Sequence, residues 1–145
     1  VKVDDPHPFD GAKVAILMGG RLLMTLRDQR AGLAFSGLWD LPGGAREGAE
    51  TPRACAAREL REEVGLDLAT GALLWARAFE GPRGVQWFLV ADLPSAPVRF
   101  GDEGQGWAFV DPARFPDLPG VIPHLQQRFR LFLDLSPFNG LMPPK

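Results

Sequence analysis

Glu59, Glu62 and Glu63 are separated by three residues and by one. At roughly 100° per residue of α-helix their carboxylates would share one face. Ala56, Ala57, Leu60 and Val64 would lie on an adjacent, apolar face suited to packing. Three like charges on one turn repel, by several tenths of a kcal/mol per pair. Two readings offset that repulsion. A divalent cation can bind there, and all-oxygen donors favour hard ions such as Mg²⁺ or Mn²⁺. Alternatively the face is solvated and balanced by Arg58 and Arg61. The three glutamates taken alone leave both readings open.

The flanking residues predict the helix itself. Thr51 is a suitable N-cap, Pro52 suits the first helical position, and Gly65 suits the stop after Val64. Upstream, the apolar runs Val14–Met18 and Leu22–Leu26 flank Gly19-Gly20, which predicts a tight hairpin. Residues 28–37 read as a surface loop, and Leu38–Leu41 as a short strand closed by Pro42-Gly43-Gly44. Strands are expected over about 72–79 and 85–91, the second covered on both faces, and over 107–110. Val121, Ile122, Leu125, Phe129, Phe132 and Leu133 recur at helical spacing and predict a last helix. Residues 1–12 and 137–145 read as an irregular lead-in and tail. The expectation is an α/β fold, one domain over 1–145, with a mixed sheet packed between helices.

Composition narrows the function. The 145 residues carry 16 Lys and Arg against 18 Asp and Glu, a net charge of -2. That balance argues against duplex nucleic acid as a partner, which needs a basic surface, but permits a small anion in a local basic pocket. Cys55 is the single cysteine, so no intrachain disulfide forms, and a reducing, cytoplasmic location is expected. With two histidines beside it, a structural zinc site is not expected. The start of the chain lacks a basic segment followed by an apolar run, which predicts no signal peptide, and no apolar stretch approaches membrane-spanning length.

The wider spacing is more specific. Gly44, Glu50, Arg58-Glu59-Leu60, Glu62-Glu63 and Gly65-Leu66 match, at every specified position, the 23-residue signature that the chain shares with the Nudix hydrolases. Nine such positions coincide by chance on the order of once in 10⁹ placements. The chain resembles that family over about residues 12–135. The resemblance implies a Nudix-type α/β/α sandwich and Mg²⁺-dependent hydrolysis of a diphosphate linkage in a small nucleotide, with Mn²⁺ as a substitute. It implies Glu59 and Glu63 as metal ligands, Glu62 as a ligand or the base, and the Gly43 carbonyl as a backbone ligand. Glu50 and Arg58 would form a buried, structural salt bridge that aims the helix. Glu62, Glu63 and Glu103 are the catalytic candidates, with Asp102 competing for the part of Glu103 and a solvated loop as the alternative.

Arg27, at the end of the second hairpin strand, is where related triphosphatases place a phosphate-contacting arginine; an exposed strand-end charge is the alternative. Phe35, Trp39, Trp87 and Trp107 could stack on a base, but aromatics at strand spacing read first as core. Cys55 reads as a small packing residue near the site, and His124 as solvated. The Gly37–Gly44 run resembles nucleoside triphosphate pyrophosphohydrolases, so a (deoxy)nucleoside triphosphate is the expected substrate. Pro82 fits the spacing of a proline in ADP-ribose hydrolases and keeps an ADP-ribose or nucleotide-sugar substrate as the rival. The start of the last helix lacks the asparagine with which members acting on oxidised guanine read the base. A nucleotide-sensing module without turnover is the rival from another class, and a homodimer stays open.

Overall fold

In the computed structural model, which describes residues 2–135, strand β1 (Gly11–Met18) forms the middle of the sheet. It is apolar from Val14 onward, yet its side chains divide by alternation between two cores. Val14, Ile16 and Met18 pack with Cys55, Ala56, Leu60 and Val64 of helix α1 (Pro52–Val64). Ala15 and Leu17 pack with Leu125, Phe129 and Phe132 of helix α2 (Pro123–Leu133). The two helices therefore cover opposite faces of one sheet, an α/β/α sandwich.

The other strands are β2 (Arg21–Leu26), β3 (Trp39–Asp40), β4 (Gly43–Ala45), β5 (Ala72–Gly81), β6 (Gly84–Leu93) and β7 (Gly106–Val110). Five of the seven run in the order β3-β2-β1-β6-β5, while β4 pairs with β1 and β7 with β2. β1 and β6 are parallel, with Val14 opposite Leu89, and every other strand pair is antiparallel. β6 is buried from Trp87 to Ala91 because it is covered on both faces. Gly19 and Gly20 form the β1–β2 turn with φ of 58° and 77°, the left-handed values that a two-residue hairpin requires.

Three expectations are corrected. The lead-in is ordered by packing: Lys2–Asp4 form a 3-10 turn, Val3 and Phe9 enter the α1-side core, and β1 starts at Gly11. The Pro42-Gly43-Gly44 stop is also the entry to a strand, β4, which carries the start of the signature onto β1. Trp107 is 40% exposed, whereas Trp87 is buried and Phe35 and Trp39 are half-buried. The expected irregular tail, 137–145, lies outside the described residues. Among the described residues, no helix is long and apolar enough to cross a membrane.

Candidate active site

Helix α1 is fixed at both ends. The Thr51 hydroxyl accepts a hydrogen bond from the Ala54 amide at 3.1 Å, and Gly65 closes the helix at φ 68°, its amide donating to the Arg61 carbonyl. Burial of Cys55, Ala56, Leu60 and Val64 then sets the helix rotation, leaving Arg58, Glu59, Glu62 and Glu63 along strand β4 and the cleft.

Strand β4 reaches this face because it carries two glycines. Gly43 has φ 145°, and a Cβ there would fall 2.6 Å from the Lys13 Cα. A Cβ on Gly44 would lie 2.8 Å from the Glu59 carboxylate. The Gly43 amide donates to Glu63 Oε2 at 2.8 Å. Backbone and carboxylates thus meet without intervening side chains.

Arg58 organises the acidic face. Its Nε donates to Glu50 Oε2 at 2.8 Å, one terminal nitrogen to Glu59 Oε1 at 2.8 Å and to Glu62 Oε2 at 3.3 Å, and the other to the Ala45 carbonyl at 2.8 Å. Glu47 also lies 3.3 Å away. The side chains of Arg58 and Glu50 are 19% and 18% exposed, so the pair is largely but not wholly buried. The hydrogen bond from Arg58 holds the Glu50 carboxyl below the usual carboxylate range.

Glu63 behaves oppositely. Burial pushes its pKa up to about 8, and the adjoining Glu59 carboxylate adds to the rise against the pull of Lys13 and the Gly43 amide. A buried carboxylate pair that favours a shared proton also suits a divalent ion, since either relieves the repulsion. The donor set is all oxygen and the glycine cradle is filled by no Cβ, so these residues fit a hard cation. Among the described residues, no three His, Cys, Asp or Glu side chains are gathered into a ready metal cluster. The reason is visible in the contacts: Glu62 is turned to Arg58 and 58% exposed, and Glu59 is shared between Arg58 and Glu63.

The cleft encloses about 960 Å³. Besides Glu59, Glu62 and Glu63 it is lined by Lys13, Arg27, Asp40, Arg83, His124 and Arg128, with Asp102 and Glu103 on the exposed loop before β7. That loop is anchored to the end of α1 by the Gly101 amide, which donates to the Glu63 carbonyl at 2.8 Å. The sequence-based candidates Gly43, Glu59, Glu62, Glu63, Glu103 and Arg27 therefore share one cleft.

Sequence reasoning missed Lys13 and Asp40. Asp40 is 3% exposed and accepts from Lys13 Nζ at 3.0 Å and from Arg27 at 3.1 Å. The Arg27 Nε also donates to the Ala34 carbonyl at 2.9 Å, and Lys13 donates to the Leu41 carbonyl at 3.2 Å. The available signal was a charge interrupting each apolar run, Lys13 before Val14 and Asp40 between Trp39 and Leu41. Arg83 and Arg128 carried no such signal. His124 was expected in solvent, but it is half-buried against Phe35, 5.5 Å between ring centroids, and burial lowers its pKa.

Comparison with known proteins agrees with this architecture. Residues 8–131 match the family model of the NUDIX domain. The octanoyltransferase of Myxococcus xanthus is 33% identical over 130 residues, covering 81% of this chain and 35% of that protein. The 8-oxo-dGTP diphosphatase of Proteus vulgaris is 44% identical over 48 residues, 33% of this chain and 43% of that protein. The chain thus matches 35% and 43% of the length of these two curated relatives. The crystal structure of the MutT protein from Methanosarcina mazei Go1 superposes with a TM-score of 0.69 at 23% identity, over 84% of this chain and 90% of that one, which shows a shared fold. With its signature, its sandwich and a match across most of its length, the chain belongs to the Nudix hydrolase family.

Proposed function

We propose that the chain hydrolyses a diphosphate linkage in a (deoxy)nucleoside triphosphate, with Mg²⁺ as its metal. The observation that carries this reading is the Glu59–Glu63 carboxylate pair, cradled by two glycines in a cleft that also holds Lys13, Arg27, Arg83 and Arg128. Glu59, Glu63 and the Gly43 carbonyl would hold the ion. When bound, it neutralises phosphate charge and lowers the pKa of water. The remaining work is positioning and proton transfer by this chain's residues. Arg58 holds Glu59 in place through α1. Glu62 and Glu103, both exposed at the cleft, are the carboxylates assigned to take the proton from attacking water.

The diphosphatase relative supports a triphosphate over ADP-ribose. Pro82, the feature that favoured ADP-ribose, has a structural explanation: with Arg83 it makes the two-residue turn between β5 and β6, a position that suits proline. The transferase activity named for the Myxococcus relative is not carried over. Cys55 is buried and its thiol is pushed up to about 11, so it offers no nucleophile for acyl transfer.

A panel of nucleoside triphosphates, dinucleoside polyphosphates and ADP-ribose, assayed for phosphate and pyrophosphate release with Mg²⁺ or with EDTA, tests the reading. The expected result is turnover abolished by EDTA and restored by Mg²⁺, with kcat/KM for the best triphosphate at least about tenfold above ADP-ribose, or about 1.4 kcal/mol in transition-state binding. A preference for ADP-ribose would overturn the substrate, and binding without turnover would point to a sensing module.

A further inference from the structure

The cations lining the cleft fall into two groups. Lys13 and Arg27 are both tied to the buried Asp40 carboxylate, which offsets one of their two charges. Arg83 and Arg128 have no carboxylate or carbonyl acceptor for their guanidinium groups among the described residues. Each instead lies over an aromatic ring: Arg83 is 4.8 Å from the centroid of Phe35, and Arg128 is 4.6 Å from that of Phe79. Stacking of this kind holds the plane of a guanidinium while leaving its N–H edge unspent.

Arg128 is half-buried, and burial disfavours its charge. An arginine does not answer by deprotonating, so an anion in the cleft would offset the hydration lost on its buried side. His124 sits one turn earlier on α2, among Arg128, Arg83, Lys13 and Asp40, and packs on the same Phe35 ring as Arg83. Phe35 is itself unusual. Among the described residues it is the one non-glycine residue with positive φ, at 54°. Phe35 does not itself line the cleft, but its ring lies against Arg83 and His124, which do. Strain at a residue that positions two donors is the pattern seen where geometry serves binding.

We infer that Arg83 and Arg128, with His124 beside them, form a metal-independent subsite for a phosphoryl group of the substrate. This rests on the triphosphate reading above and refines it: the phosphate grip falls to Arg83 and Arg128, and Arg27 serves Asp40 and the loop. Phosphate is the matching anion because a guanidinium fork donates two parallel hydrogen bonds to its oxygens. A terminal phosphate also brings more negative charge than the single Asp40 carboxylate that Lys13 and Arg27 share.

The test is calorimetric titration of the intact chain with inorganic tripolyphosphate in EDTA, which removes metal from the comparison. Wild type is expected to bind. Arg128→Gln and Arg83→Gln should each weaken binding at least about tenfold, and Arg128→Lys by less, since it keeps the charge and loses the fork. Arg77→Gln is the control, because Arg77 stacks on Phe79 but does not line the cleft, and its affinity should stay within twofold. Arg128→Lys keeps the aliphatic stem and preserves the test if Arg128→Gln fails to fold. Absence of tripolyphosphate binding by wild type, or an affinity unchanged in the Arg83→Gln/Arg128→Gln double variant, would overturn the subsite. The substrate panel separates the two readings. Loss of tripolyphosphate binding in the variants, with no triphosphate turnover by wild type, would retain the subsite and reject the proposed reaction.

Discussion

Gly44 and Glu59 are in such close register that a single methyl group on the glycine would sit 2.8 Å from all three carboxylate atoms. No positive φ constrains Gly44, and the atoms it would meet are the end of a flexible side chain. Gly44→Ala should therefore fold with nearly wild-type stability, displace the Glu59 carboxylate and lower kcat/KM for the best substrate by at least about tenfold. Gly43→Ala should behave differently. Its φ is 145° and its Cβ would meet the backbone of Lys13, so a loss of more than about 2 kcal/mol is expected. Urea melts of both variants beside their activities check the pair; a Gly44→Ala enzyme as active as wild type would show that Glu59 need not stay where it is.

Arg58 is a hub for Glu47, Glu50, Glu59 and Glu62, not the partner of one residue. Removing it leaves four carboxylates facing one another. Because the Arg58–Glu50 pair is largely buried yet still touches water, Arg58→Ala should destabilise by about 2–3 kcal/mol, between the values for exposed and buried pairs. Arg58→Lys keeps the charge but cannot reach four acceptors and should recover less than half of the loss. Equal melting temperatures for wild type and Arg58→Ala would remove Arg58 from a structural role.

The raised pKa of Glu63 makes the metal-free protein sensitive to pH. Its carboxyl binds a proton more tightly folded, near 8, than at the ordinary value of 4.5. The folded state therefore holds more protons in that window, and stability should fall as pH rises from about 4.5 through about 8. Glu63→Gln should flatten this dependence. With Mg²⁺ at the proposed Glu59–Glu63 site the ion would compete with the same proton, so the stabilisation on adding Mg²⁺ should be larger at pH 8.5 than at pH 6.5, by about 1 kcal/mol or more in linked binding. Thermal melts across that range, with and without Mg²⁺, decide it. A metal-free stability that climbs steadily with pH would contradict the carboxylate pairing.

Cys55 lies under the same strand, its Sγ 3.7 Å from the Gly44 carbonyl, fully buried and with its thiol pushed up to about 11, chiefly by burial. A thiol held protonated and out of solvent should resist a disulfide reagent in the native protein, with labelling at least about 10²-fold slower than in denaturant. Fast native labelling would mean that β4 separates from α1 more readily than the packing suggests.

Much of this protein is determined locally. Helix α1 was legible from Thr51, Pro52 and Gly65 because caps act within one turn, and the acidic face followed from spacing alone. The β1–β2 hairpin was legible because two adjacent glycines supply its φ values. The family was legible because its signature spans one helix and the strand before it. Tertiary structure decided the rest, since charge balance depends on what is brought nearby. Arg27 came under Asp40 and Ala34 through the β2–β3 pairing and the loop between those strands, which no local pattern encodes. The lead-in became ordered because Val3 and Phe9 found an apolar face on α1 and β6. His124 and Arg128 belong to the amphipathic pattern of α2, which separates apolar from polar positions but does not distinguish a solvent-facing residue from one facing a cleft. That distinction arises where α2 meets the β5–β6 turn and the Phe35 loop, segments separated by dozens of residues in the chain and joined through the packing of the sheet.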